Sequence, residues 1–216
     1  MKINIVAGGP EKDIPNLADM ADCDSRDIWI GVDRGALRLI QFNILPDEAF
    51  GDFDSVTSEE LALIQEKSKT VHEYPAEKNE TDLELAIDWA LEQDPDTISI
   101  FGATGGRLDH ALGNILMLAN QRYRGLSSKI KLIDTQNELG IYEPGEYSLS
   151  PNEKKYVSFI PISESVSGLT LSGFKYPLTN HLVHRGSSLT ISNELNSNLG
   201  TFSFSHGILM LIRSKD

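Results

Sequence analysis

Two aspartates two residues apart, Asp52 and Asp54, sit in the stretch FGDFDS at 50–55 of a chain whose formal net charge is already -13. Carboxylates at i and i+2 on a turn after a strand can reach one hard cation. Mg²⁺ suits that pattern, since it takes oxygen ligands, usually one or two carboxylates with water and phosphate completing the octahedron. A bound ion reverses the local sign, so a polyphosphate such as that of ATP can enter an acidic cluster. Other capable residues recur along the first half: Gly8 and Gly9 in IVAGGP, Asp33 in GVDRGA, Lys78, Thr81 and Asp82 in EKNETD, and Gly105, Gly106, Arg107 and Asp109 in GATGGRLDH. Backbone N–H groups of a Gly-rich loop or a helix N-terminus hold phosphate oxygens. Lys78 and Arg107 can neutralise charge that develops during transfer.

Each of these residues also has a purely structural use. Asp54 and Ser55 can form a turn or a cap. Thr81 caps a helix whatever else it does, and Asp82 in the first turn favours the helix dipole. Gly105 and Gly106 suit a tight loop, and Arg107 can pair with a surface acid. The case for chemistry is their convergence, which matches the needs of Mg²⁺ and a polyphosphate. The chain has neither a Walker A motif nor the H-R-D and D-F-G set of protein kinases.

The elements that would position these residues can be read from periodicity. INIVAGG (3–9), IWIGVD (28–33), ISIFGA (98–103) and KIKLID (129–134) are short, apolar and β-branched, as expected of strands buried on both faces of a parallel sheet. Residues 57–68 and 81–93 are amphipathic and open with capping boxes, Thr57 with Glu60 and Thr81 with Glu84. Residues 108–121 carry apolar positions at helical spacing. Strand alternating with helix predicts an open α/β sheet of the Rossmann-like kind over residues 1–136. In such a sheet ligands bind outside the carboxyl ends of the strands, where these residues fall.

Near 135–140 the character changes. Residues 155–163, 168–174, 187–194 and 200–212 read as short strands separated by Gly, Pro, Ser and Asn, which predicts an all-β sandwich or barrel over 137–216. That part is small for an isolated core and implies a partner surface. Trp29 and Trp89 are expected in the core. His181, His184, Arg185 and His206 lack metal-ligand spacing and are expected at the surface or in a dimer contact.

Composition narrows the field further. The chain has 216 residues, 40% hydrophobic and 24% charged, as in ordinary globular proteins. No run approaches the ~18 apolar residues of a membrane span, and the N-terminus reads as a first strand rather than a signal peptide. The single cysteine, Cys23, excludes an internal disulfide and suits a cytoplasmic setting as a free structural thiol. The net charge would repel DNA or RNA, so neither nucleic acid nor membrane is an expected partner.

GDFDS at 51–55, EKNETD at 77–82 and GATGGRLDH at 102–110, followed by SNE at 192–194, resemble the thiamine pyrophosphokinase family, and the resemblance runs over nearly the whole chain. It implies a two-domain homodimer with active sites at the subunit interface. The implied reaction is the Mg²⁺-dependent conversion of ATP and thiamine to AMP and thiamine diphosphate. Asp52, Asp54 and Asp82 would then be metal and phosphate-facing carboxylates, with Asp33 beside them. Lys78, Thr81 and Arg107 would contact phosphates, and Asp109 would lie near the thiamine hydroxyl, where it could accept the proton. Ser192 and Asn193 would contact the thiamine pyrimidine, although residue types alone favour a β-turn there. The family's K-D-x-T-D reads K-N-E-T-D here, so Asn79 brings no charge to that position. Two other readings stay open at this point: a nucleotide and thiamine-binding regulator without turnover, and a metal-dependent phosphohydrolase.

Overall fold

The computed structural model describes residues 1–20 and 26–216, so Cys23 lies outside the described residues. The chain divides into two compact units, Met1–Asn114 with Leu132–Thr135, and Ile115–Lys131 with Gln136–Asp216.

The first unit is mixed α/β. In chain order it holds β1 (Lys2–Val6), β2 (Ile28–Val32), α1 (Arg34–Gln41), β3 (Glu48–Gly51), α2 (Ser58–Lys67), β4 (Thr70–Glu73), α3 (Asp82–Glu92) and β5 (Thr97–Phe101). The strands pair in parallel in the order β5-β1-β2-β3-β4. β1 is buried from Ile3 to Val6, Asn4 included, and β2 from Trp29 to Val32, so both faces are covered and burial does not alternate. Val6, Leu17, Trp29, Leu39 and Phe101 form one core cluster, and Ala36, Leu37, Ala49, Phe53 and Ile64 another. Trp29 is in the core as expected. Trp89 is only half-buried, edge-on to Phe50 with ring centroids 6.2 Å apart.

Both capping boxes form, each with the threonine accepting from the N3 N–H and the glutamate accepting from the cap N–H. α1 escapes the periodicity reading because its entry, Asp33-Arg34-Gly35, carries no capping box. Gly35 stands where a Cβ would lie 1.8 Å from the Val6 carbonyl oxygen, so close packing of α1 on β1 needs glycine there.

α4 (Leu108–Met117) and β6 (Ile130–Ile133) each run across the division between the units. α4 is shorter than the 108–121 expected, because Asn120 caps a separate 3-10 turn at Gln121–Tyr123. Its Leu108, Leu112 and Leu116 share one face and are exposed.

The second unit holds β7 (Asn137–Tyr142), β8 (Gly145–Leu149), β9 (Tyr156–Pro161), β10 (Ser165–Ser172), β11 (Leu178–His184), β12 (Asn193–Glu194), β13 (Gly200–Phe204) and β14 (Leu209–Ser214). Two antiparallel sets form, β12-β9-β14-β7 and β11-β10-β13-β8. Val157, Phe159, Leu209 and Leu211 of the first share a core with Leu169, Leu171, Phe202 and Phe204 of the second. Two expectations are corrected. Residues 187–192 are turns rather than strand, with Ser192 at φ 57°, and only Asn193–Glu194 pairs. The run 200–212 is two strands parted at Gly207, whose φ is 101°.

Candidate active site

β1, β2, β3 and β5 are parallel, so their carboxyl ends open on one edge. The strand order reverses at β1, which leaves a crevice there. The crevice is a cleft of about 710 Å³. Asp33 leaves β2, Asp52 leaves β3 and Asp82 opens α3. One carboxylate oxygen from each lies within 4.8 Å of the other two.

Local backbone geometry fixes this convergence. Asp33 holds φ 49° and ψ -122°, a conformation costing about 1–3 kcal/mol for a residue with a Cβ. Its N–H donates to the Phe50 carbonyl at 2.9 Å, and its carboxylate accepts from the Phe53 N–H at 3.4 Å. A Cβ at Gly51 would lie 2.2 Å from Asp33 Oδ1, so the glycine of GDFDS lets the carboxylate approach. Asp52 Oδ1 accepts from the Asp54 N–H at 3.1 Å across Phe53, which has φ 56° and a buried ring. That turn leaves Asp54 exposed and outside the three-carboxylate group among the described residues, whereas Asp33 belongs to it.

The electrostatics are unfavourable as they stand. Burial, reinforced by the charge of Asp82 and then of Asp52 and Asp54, pushes the Asp33 carboxyl up to about 6, against the opposing Phe53 N–H. Asp82 Oδ1 is buried and accepts no aligned hydrogen bond, although Lys78 Nζ lies 2.8 Å away. Converging hard oxygens, one without an aligned donor, fit a hard divalent cation.

Lys78 also donates to the Pro75 carbonyl at 3.3 Å, and with Asn79 and Thr81 it borders the cleft. The Thr81 hydroxyl accepts from the Glu84 N–H at 3.2 Å and so serves the cap as well. Gly8, Gly9, Gly105 and Gly106 border the cleft too. Gly9 is not a free phosphate donor, because its N–H donates to the Gly102 carbonyl at 2.8 Å and a Cβ there would lie 2.2 Å from that oxygen. Gly105 and Gly106 hold φ 78° and 64° and lead into α4. Arg107 clasps Asp109 through Nη2 at 2.6 Å and Nε at 3.2 Å, both side chains being exposed. Arg107 chiefly holds the Asp109 carboxyl down at about 2, which makes it a weak proton acceptor in this conformation.

Ser192 and Asn193 belong to the second unit. Ser192 is exposed, and its N–H donates to Ser158 Oγ at 3.0 Å. Asn193 is buried with its amide engaged: Oδ1 accepts from the Tyr176 and Glu194 N–H groups at 3.0 and 2.9 Å, and Nδ2 donates to the Tyr176 carbonyl at 2.8 Å. That pattern fixes the Tyr176 backbone. His181, His184, Arg185 and His206 are exposed.

Sequence reasoning missed several polar cleft residues, among them Arg34, Arg38, Thr104, His110 and Asn114. Arg34 and Arg38 follow from α1, whose helical spacing of Ala36, Leu37 and Leu39 was the available signal. Thr104 donates to Asp134 Oδ2 at 2.8 Å, and Asn114 donates to the Ala103 carbonyl at 2.8 Å, so both brace the loop after β5. No local sequence pattern announces either bond.

Comparison with known proteins gives the family. The family described as "Thiamin pyrophosphokinase, catalytic domain" matches residues 22–131, and "Thiamin pyrophosphokinase, vitamin B1 binding domain" matches residues 146–209. The chain is 54% identical over 217 residues to "Thiamine pyrophosphokinase" of Bacillus subtilis (strain 168), covering 99% of each. The crystal structure of the thiamine pyrophosphokinase from Bacillus subtilis superposes with a TM-score of 0.91 at 51% identity, covering 100% of both chains. That of a thiamin pyrophosphokinase family protein from Enterococcus faecalis gives 0.90 at 37% identity, again over 100% of both. The chain belongs to the thiamine pyrophosphokinase family.

Proposed function

We propose that this chain transfers the diphosphoryl group of ATP to the hydroxyl of thiamine, giving thiamine diphosphate and AMP. The observation that carries the reading is the convergence of Asp33, Asp52 and Asp82 at the mouth of the parallel sheet, three carboxylates against the one ammonium of Lys78. Residues 1–136 act as a Rossmann-like catalytic domain and 137–216 as a β-sandwich thiamine domain, in a cytoplasmic enzyme.

The three carboxylates would hold Mg²⁺, with Asp54 adding negative charge from outside the group. When bound, the ion supplies positive charge that lets the triphosphate enter and polarises the phosphorus. The chain's own residues do the rest. Lys78 and Thr81, at the start of α3, contact the phosphates beside Asp82. The Gly105–Gly106 loop and the first turn of α4 present N–H groups to phosphate oxygens. Arg107 turns from Asp109 to the transferring group. Freed of its arginine, Asp109 returns toward the ordinary carboxylate range and accepts the hydroxyl proton. The thiamine oxygen bonds to the β-phosphorus, the bond from that phosphorus to the bridging oxygen breaks, and AMP leaves with that oxygen. Ser192 contacts thiamine by its hydroxyl, and Asn193 acts through the Tyr176 backbone it holds.

The active form is a homodimer with its sites at the subunit interface. The exposed stripe of Leu108, Leu112 and Leu116 on α4 supports a second copy as its cover.

Purified protein with ATP, Mg²⁺ and thiamine should release AMP in step with thiamine diphosphate. AMP release only in the presence of thiamine supports the transfer. ADP or phosphate release without thiamine, or nucleotide binding with no product, overturns it.

A further inference from the structure

Arg38 lies on α1 one turn after Arg34, and its guanidinium borders the cleft although the side chain is only 15% exposed. Nη2 donates to the Gly9 carbonyl at 2.6 Å, and Nη1 lies 3.6 Å from Glu11 Oε2. Nε is buried with no partner. A buried arginine with an unpaired donor is not what packing alone would favour, since an apolar side chain of similar volume avoids both penalties. The function of Arg38 must lie in what it holds.

It holds Gly9. The Gly9 N–H is tied to the Gly102 carbonyl, the Gly9 carbonyl is tied to Arg38, and Pro10 has no N–H to offer. The loop of Gly8, Gly9 and Pro10 is thereby pinned from two sides. A carbonyl on the border of the cleft, which would repel an anion, is paired with a cation instead.

We infer that Arg38 is a positioning residue for the phosphates of the nucleotide: it fixes the Gly8–Pro10 loop through the Gly9 carbonyl and places an immobile positive charge on that wall of the cleft. Glu11 shares this charge and weakens its reach. The nucleotide identity rests on the transfer reading above, but binding can be measured apart from turnover. Arg38 acts on the phosphates, so its effect should appear with ATP and not with adenosine or thiamine.

The test is titration calorimetry of ATP with Mg²⁺, and separately of adenosine, into the wild type, Arg38→Met, Arg38→Lys and Glu11→Gln, alongside KM for ATP and for thiamine. Arg38→Met should weaken ATP binding about tenfold, because it removes both the fixed charge on that wall and the charge-assisted bond that holds the Gly9 carbonyl. Adenosine affinity and the thiamine KM should stay unchanged. Arg38→Lys should recover part of the loss, and Glu11→Gln should tighten ATP by about twofold as the guanidinium is released. Equal ATP affinity in Arg38→Met and wild type overturns the assignment, as does parallel weakening of ATP and adenosine. If Arg38→Met does not fold, unchanged ATP affinity in both Arg38→Lys and Glu11→Gln overturns it. A wild type that binds ATP but makes no AMP with thiamine removes the transfer reading and leaves the binding result for Arg38 intact.

Discussion

The first unit brings Asp33, Asp52 and Asp82 to one open cleft, three charges of one sign. The second unit buries Tyr142 and Arg213 beside the half-buried Lys131 and Glu138, a set of mixed sign. Lys131 Nζ donates to the Tyr142 hydroxyl and lies 4.3 Å from its ring centroid. Arg213 faces Glu138 across β14 and β7. Lys131 packs closely on the Gly140 side, where a Cβ would come within 2.6 Å of its Nζ. Burial pushes Lys131 down to about 8, with Glu138 opposing, and pushes Tyr142 up to about 12, with Glu138 assisting. Both groups are perturbed, yet of the two only the carboxylates carry an excess of one sign and border the cleft. A shifted pKa alone would not separate a site from a structural cluster.

The contrast predicts its own largest break. Asp82→Asn should lower kcat by about a thousandfold or more, roughly 4 kcal/mol of transition-state stabilisation. The same variant in EDTA should still fold, because the like-charge repulsion it relieves offsets the lost ion pair of Asp82 with Lys78. Lys131→Met should leave kcat unchanged. Full activity in Asp82→Asn, or lost activity in a folded Lys131→Met, would dissolve the distinction.

Stability against pH should run in opposite directions for the two groups. The Asp33 carboxyl is at about 6 folded and near 3.8 unfolded. The folded state therefore binds the extra proton between those values, and metal-free stability falls as pH rises from 4 to 6, by something of order 2 kcal/mol. Lys131 is at about 8 folded and near 10.5 unfolded. There the unfolded state binds the extra proton, so stability rises from pH 8 toward 10 by roughly 2 kcal/mol, until Tyr142 begins to reverse it. Urea melts of Asp33→Asn and Lys131→Met should each flatten their own window and spare the other. Curves parallel to wild type would contradict these assignments.

The smallest effect compares the two capping boxes. Thr57→Ala and Thr81→Ala should each cost about 1 kcal/mol of stability. Only Thr81→Ala should also raise the ATP KM, because only Thr81 borders the cleft among the two. Equal kinetic effects would count against a phosphate contact at Thr81.

These boxes also show what was legible in the sequence. Thr57 with Glu60 and Thr81 with Glu84 are short-range patterns, and both appear as read. Buried parallel strands were equally legible, because β1, β2 and β5 are short and rich in Ile, Val, Phe and Trp. The placement of Asp33 inside the three-carboxylate group and of Asp54 outside it was not. It depends on the left-handed turn at Phe53 and the strained backbone of Asp33, and neither leaves a local signature. The 187–194 segment has strand composition but carries turns, because Ser158 Oγ and the Tyr176 backbone hold Ser192 and Asn193 from a distance in sequence. Long-range hydrogen bonds of that kind override propensity.

The most direct test of the central claim is calorimetric titration of Mg²⁺ into metal-free protein saturated with the non-hydrolysable ATP analogue AMPPNP, for wild type and for Asp33→Asn, Asp52→Asn, Asp54→Asn and Asp82→Asn. The unbalanced carboxylate group predicts that Asp33, Asp52 and Asp82 variants each lose most of the Mg²⁺ affinity, while Asp54→Asn loses little. Wild-type affinity in any of the first three, or a loss confined to Asp54→Asn, would contradict it.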